Sequence, residues 1–171
     1  MPSTATSHGD ADGRERGTAI HFMLEQLATG RAPRSGDIPA AIANELNRDA
    51  ADRQVQAWWH EAVRTVQDET LAAVFNTANY ERAYNEVPIQ YEDDGKLVYG
   101  IIDRLVVNSE TALVIDYKTH QWASAESLPR LTEQYREQLR LYADGVAQLW
   151  PDLTVTPCLL FPACGTIVRL D

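Results

Sequence analysis

The chain has 171 residues, enough for one domain with a real core, and its apolar fraction of 44% is ordinary for a folded protein. A formal charge of −10 argues against a stand-alone, tight binder of nucleic acid, which would gather Lys and Arg against phosphates. It leaves open chemistry on nucleic acid held by something else. No apolar run nears the ~20 residues that span a bilayer and no charged-then-apolar leader opens the sequence, so the cytoplasm is the expected compartment.

Met1 to Glu15 is polar and without period, and it is expected to form a flexible tail or linker. In "RGTAIHFMLEQLATG", Ile20, Leu24 and Leu27 recur at helical spacing, with Gly30 as a stop signal. "APRSGDIP" reads as a loop. From Ala40 to Asn76 a helical pattern returns in two pieces, with Trp58, Val63, Val66 and Leu71 on its apolar stripe. Trp58 and Trp59 are adjacent and cannot share a helix face, so core packing is expected for at least one.

After Asn79 the texture changes. "AYNEVPIQYE", "KLVYGIIDRLVV" and "TALVIDYKT" are rich in β-branched and aromatic residues and are separated by the turn signals "DDG" and "NSE". A loop over Ser124–Pro129 leads into "LTEQYREQLRLYADGVAQLW". Its Leu131, Tyr135, Leu139, Tyr142, Val146 and Leu149 share one side, and Pro151 stops it. "TVTPCLLFPACGTIVRL" reads as two closing strands. Helices, a strand meander, a crossover helix and more strand predict an α/β layered domain. Cys158 and Cys164 are too few for a disulfide framework or a four-thiolate cluster and are expected to be inert core or strand residues.

Charged residues interrupt the two most apolar strands. A tight hairpin centred between Ser109 and Glu110 sets Val107 against Ala112 and Asp103 against Asp116, with Lys118 projecting from the same face as Asp116. On that face Ile101, Leu105, Val107 and Val114 are expected, and on the other Ile102, Val106, Leu113 and Ile115. Like charges so placed destabilise a sheet, and burial raises the cost of leaving them unpaired. A divalent metal is the simplest compensation. Structural ion pairing with Lys118, Arg104 or Arg140 is, on spacing alone, an equal reading. Arginine supplies all but two of the fifteen cations, so an ammonium kept at Lys118 suits a tight site needing a compact charge.

In order along the chain, "GTAIH", "GIIDR", "DYKT" and "QLRLY" resemble the C-terminal nuclease domain of bacterial recombination helicase-nucleases of the AddA and RecB type, in the PD-(D/E)XK superfamily. The ending "TPCLLFPACGTIVRL" is more similar to the AddA type. The likeness covers residues 16–171, leaving 1–15 as a former linker in an excised domain. It implies a restriction-endonuclease-like fold, a central mixed β-sheet flanked by helices. Transferred by position, it implies His21, Asp103, Asp116 and the backbone carbonyl of Tyr117 as metal ligands and Lys118 as the catalytic lysine. Glu86 matches an acid of the first strand, and Gln138 and Tyr142, one helix turn apart, match a supporting motif. His120 is expected to be exposed and not a ligand.

A ligand set of carboxylates, one carbonyl and one imidazole suits Mg²⁺ or Mn²⁺. The four cysteines of the iron–sulfur relatives are missing, so no such cluster is expected. The GxxxxGK[ST] phosphate loop is missing too, so no ATP hydrolysis of that kind is expected. The resemblance therefore implies metal-dependent exonucleolytic hydrolysis of DNA in double-strand break repair and recombination. Single strands would come from an attached or partner helicase, working beside a second protein of the AddB/RecC type. The alternatives are a catalytically inactive DNA-clamping or scaffold module, and a free-standing nuclease with another nucleic-acid substrate.

Overall fold

A computed structural model describes residues 6–171. Five strands form one sheet in sequential order: β1 (Arg82–Asp93), β2 (Lys96–Val107), β3 (Thr111–Tyr117), β4 (Thr154–Phe161) and β5 (Thr166–Arg169). All neighbours run antiparallel except β3 and β4, which are parallel. A parallel pair needs a crossover, and α5 (Leu128–Leu149) supplies it. The sheet is thus mixed and flanked by helices, the restriction-endonuclease-like α/β arrangement.

Helices α1 (Thr6–Ala28), α2 (Ala40–Glu45), α3 (Arg53–Gln67) and the single turn α4 (Ala72–Phe75) precede the sheet. The helical stretch over 40–76 therefore divides into three pieces rather than two. Asp52 starts the longest by accepting hydrogen bonds from Gln54 N at 2.8 Å and Val55 N at 3.3 Å. α1 closes on Gly30 at φ 71°, with Gly30 N bonded to Leu27 O and Arg31 N to Gln26 O, the paired bonds of a Schellman cap.

α1 also corrects the expectation of a flexible tail over 1–15. Met1–Ala5 lie outside the described residues, but from Thr6 the chain is already helical. Residues 9–15 are exposed, so no apolar stripe marks them in the sequence. They continue a helix whose later turns are packed, and Glu15 is ion-paired with Arg48.

Two apolar cores lie on opposite faces of the sheet. One joins α1 and α3 to Val106, Leu113, Ile115, Cys158 and Leu160; Trp58, Trp59, Val63, Val66 and Leu71 are all buried there. The other joins α5 to Leu105, Val107, Val114, Leu159 and Phe161. Ile102 belongs to this second core beside Leu105, and Ile101 is 43% exposed, so the expected alternation fails between them. The same switch occurs in β1, where Ala83 packs on the first core and Val87 and Ile89 on the second. Between them Glu86 has φ 49°, a left-handed conformation that turns the strand over without changing its register. The cysteines divide as well: Cys158 is buried, whereas Cys164 is exposed in the turn after β4 rather than in core or strand.

Candidate active site

β2 and β3 pair from Val107↔Ala112 to Arg104↔Ile115, the register expected from the hairpin centre. One step further the same register sets Asp103 against Asp116, but there the ladder stops. Tyr117 N instead donates to Asp103 Oδ2 at 2.7 Å. Asp103 is 8% exposed and Asp116 6%, so both carboxyls sit in the interior. His21 reaches them from α1, with Nε2 3.1 Å from Asp103 Oδ2. Lys118, just past β3, brings Nζ within 2.6 Å of Asp116 Oδ2.

Behind Lys118 stands α5. Lys118 Nζ donates to Gln138 Oε1 at 3.3 Å and lies 4.0 Å from the centroid of the Tyr135 ring. Gln138 Nε2 in turn donates to Tyr142 Oη at 3.2 Å. Tyr142 lies across Gly100 of β2, where an added Cβ would come within 2.7 Å of Tyr142 Oη. Only glycine leaves that space, which ties the "GIIDR" strand to the "QLRLY" helix. Seven of the eight positions singled out in the sequence thus form one connected group. Glu86 joins it through charge alone: it is exposed on β1, and partial burial, then the charges of Asp103 and Glu25, raise its carboxyl pKa.

The alternative cations do not reach the acids. Arg104 is 1% exposed and turned to the other face, bonded to Val74 O at 2.9 Å, Asn85 Oδ1 at 2.9 Å and Tyr80 Oη at 3.0 Å. Arg140 is taken by Glu137 and Asp144. His21 and Lys118 are left as partners. Burial opposes the imidazolium of His21, but the Asp103 hydrogen bond and charge, the Gly17 carbonyl and the more distant Asp116 outweigh it and raise its pKa to about 9. Both ring nitrogens face acceptors, Nδ1 lying 2.8 Å from Gly17 O, which fits a doubly protonated ring.

Asp103 and Asp116 split. Burial would raise Asp103, yet hydrogen bonding and charge from His21, with help from Asp116 and Tyr117 N–H, hold it below its usual value. Asp116 is pushed up to about 7, first by burial and then by Asp103, against the pull of Lys118. Lys118 Nζ supplies an ion-pair contact to Asp116 Oδ2, but this buried oxygen makes no well-formed hydrogen bond among the described residues. Buried acceptors in finished ion pairs are rarely left so.

That incompletely satisfied oxygen is the test of fit for a metal. Among the described residues no three His, Cys, Asp or Glu side chains already form a metal cage. The donors at hand are two carboxylates, the Tyr117 carbonyl and, once deprotonated, His21 Nε2. This oxygen-rich set with one nitrogen fits a hard divalent cation.

Three contributors escape a reading of the sequence. Glu25 is one helix turn from His21, and that spacing is the signal that could find it. Arg16 pairs with Glu61 through two bonds of 2.8 and 2.6 Å while its Nε donates to Thr119 O at 3.2 Å, clamping α1 and α3 to the exit of β3; partners 45 residues apart leave no local signal. Tyr135 is legible only as part of the helix stripe. His120 is half-buried rather than exposed, 2.8 Å from Tyr135 Oη, with its pKa lowered by burial and by Lys118 and Arg130.

The family model described as the PD-(D/E)XK nuclease superfamily matches residues 4–165. Among named relatives, an ATP-dependent helicase/nuclease subunit from Anoxybacillus flavithermus is 26% identical over 150 residues, covering 80% of this chain and 12% of that protein. The identically named protein from Limosilactobacillus fermentum is 27% identical over 164 residues, covering 85% of this chain and 12% of its own. The chain thus spans about an eighth of the length of these relatives. A solved Vibrio cholerae protein, VC1899, aligns over 88% of this chain and 43% of its own, with 12% identity and a TM-score of 0.35, too loose a likeness to argue from. The chain belongs to the PD-(D/E)XK nuclease superfamily.

Proposed function

We propose that this member of the PD-(D/E)XK superfamily hydrolyses DNA phosphodiester bonds with Mg²⁺ or Mn²⁺, as the exonuclease module of a helicase-nuclease. The observation that carries the reading is the buried pair Asp103 and Asp116, left incompletely satisfied at Asp116 Oδ2 beside Lys118. His21, Asp103, Asp116 and the Tyr117 carbonyl would hold the cation. Bound there, it would lower the pKa of a water and offset charge developing on the phosphate.

The protein's own groups prepare the rest. His21 presents Nε2 to the site because Nδ1–H is committed to the Gly17 carbonyl, a second contact that fixes ring and tautomer. To act as a ligand it gives up the Nε2 proton now shared with Asp103. Lys118 holds a positive charge at the mouth of the acid pair, positioned by Gln138, Tyr142 and the Tyr135 ring. There it stabilises the anionic transition state or orients the attacking water.

An acidic domain gains its substrate most simply from a motor, and the relatives are named helicase/nucleases. Three further parts belong to the same proposal: a single strand fed by an attached or partner helicase, a second protein of the AddB/RecC type, and a cytoplasmic role in double-strand break repair. No helix among the described residues is long and apolar enough to cross a membrane. The test is cleavage of end-labelled single-stranded DNA with Mg²⁺ or Mn²⁺, stopped by EDTA. Absence of metal-dependent cleavage in the folded parent would favour an inactive DNA-clamping module instead.

A further inference from the structure

Beyond Lys118 the chain enters a loop that carries Trp122, which is 55% exposed. Two polar groups flank its ring. The Arg130 guanidinium lies 5.3 Å from the Trp122 ring, and the His120 ring 5.1 Å away at a tilt of 46°. His120 bonds Tyr135, whose ring touches Lys118, so a continuous series of aromatic and cationic groups runs from Trp122 to the acids.

Trp122, His120, Tyr135 and Lys118 line a cleft of about 1120 Å³ that also takes in His21, Arg14 and Arg64. Asp10 and Asp12 line it too, and Arg16 there is matched by Glu61. Arg64 in the cleft and Arg130 beside Trp122 form no salt bridge among the described residues, so their charges are free to meet phosphate. Cations that track a backbone, interleaved with an open aromatic face, suit a single strand, whose unstacked bases expose their π-faces. A duplex keeps its bases stacked on one another and gains nothing from the indole.

We infer that Trp122, braced by Arg130 and His120, is a base-stacking platform that holds single-stranded DNA with its backbone toward Lys118 and the acid pair. This rests on the nuclease reading and adds a positioning residue to it. The platform makes binding sensitive to the presence of bases, whatever their identity, because every base offers a face to stack on.

The test is fluorescence anisotropy in EDTA, where nothing is cut, with three labelled probes: oligo(dT) of about 12 nucleotides, an abasic strand of equal length, and a duplex. The parent should bind oligo(dT) more tightly than the abasic strand. Trp122→Ala should weaken oligo(dT) binding by about 5- to 150-fold, the range for one stacked base, and leave the abasic and duplex Kd values unchanged. Trp122→Phe should retain most of the preference, with melting temperatures confirming that both variants fold. Equal binding of oligo(dT) and abasic strand by the parent overturns the platform, and so does an equal loss on all probes in Trp122→Ala. Cleavage by the parent is scored separately with Mn²⁺. A parent that cuts DNA but has no base preference sinks only the platform; one that prefers bases yet never cuts supports the platform and sinks the nuclease reading.

Discussion

Two buried charged groups lie within two helix turns of each other on α1, and they are finished to different degrees. Arg16 and Glu61 meet through two parallel bonds, and the remaining guanidinium donor Nε is taken by Thr119 O. His21, Lys118 and the acid pair use α1 and the end of β3 as well, but leave Asp116 Oδ2 without a well-formed hydrogen bond, and burial with Asp103 raises the Asp116 pKa toward neutrality. The first arrangement fixes α1 against α3 and β3. The second bears an electrostatic cost that a proton on Asp116 or a bound cation would relieve. Buried charge by itself therefore does not mark a functional site; the mark is an imbalance within it.

The sharpest way to break the comparison is to strand the finished pair. Glu61→Ala leaves Arg16 buried and unpaired and should cost about 3–5 kcal/mol of stability in urea denaturation. Glu61→Gln, which keeps an acceptor, should cost less. Full stability in Glu61→Ala would remove the pair from any structural role.

Next comes the unfinished group. Lys118→Ala should slow DNA cleavage by about two to three orders of magnitude, the ~3–4 kcal/mol expected for one lost transition-state donor. Mn²⁺ binding measured by calorimetry should survive, because an ammonium does not coordinate a cation. Lys118→Arg should also be poor, since a planar guanidinium spreads its charge. Parent-level cleavage by folded Lys118→Ala would leave Lys118 as a structural ion-pair partner only.

Metal binding should itself be acid-sensitive. His21, with its pKa near 9, must release a proton to coordinate, and Asp116, near 7, must do the same below neutrality. Mn²⁺ affinity should rise by about tenfold per pH unit between 7 and 9, and more steeply below 7. Asp103→Asn or Asp116→Asn should abolish binding; affinity independent of pH, or unchanged in both variants, would contradict the ligand set.

The smallest effect has the opposite sign to the first. Asp116 is pushed above its unfolded value, so the unfolded chain loses its proton first and the metal-free fold loses stability as pH rises from about 4 to 7. Asp116→Asn escapes this loss and should melt higher than the parent in EDTA above pH 7, with the gain fading as pH falls toward 4. His21 works against alkali in both proteins: its contribution is full below about 6.5 and is lost as pH rises through about 9. A lower melting temperature for Asp116→Asn at pH 8 would mean that Asp116 is held by favourable contacts, like Glu61.

Much of this is legible in the residues. The hairpin centre puts Asp103 against Asp116 because strand register is arithmetic, and alternation along β3 separates Val114 from Leu113 and Ile115. What stays hidden depends on backbone conformations and distant partners. Nothing about Glu86 announces a left-handed φ in mid-strand, so alternation sends Ile102 to the wrong core. The opening turns of α1 carry no apolar period and so read as tail. The Arg16–Glu61 clamp joins segments with no pattern in common.

The turned backbone at Glu86 also bears on how the protein behaves in crowded solution. β1 is the long outer strand of the sheet, bonded among the described residues along one side only, to β2. A straight strand of that length would offer a neighbouring chain a template for edge-to-edge growth. Here the template is interrupted at its centre: Glu86 departs from extended geometry, and two residues later Pro88 has no N–H to give. A second molecule laying a strand along β1 would lose register at that point and meet a carboxylate on the exposed edge. The distortion that brings an acid beside the site thereby guards the sheet against aggregation.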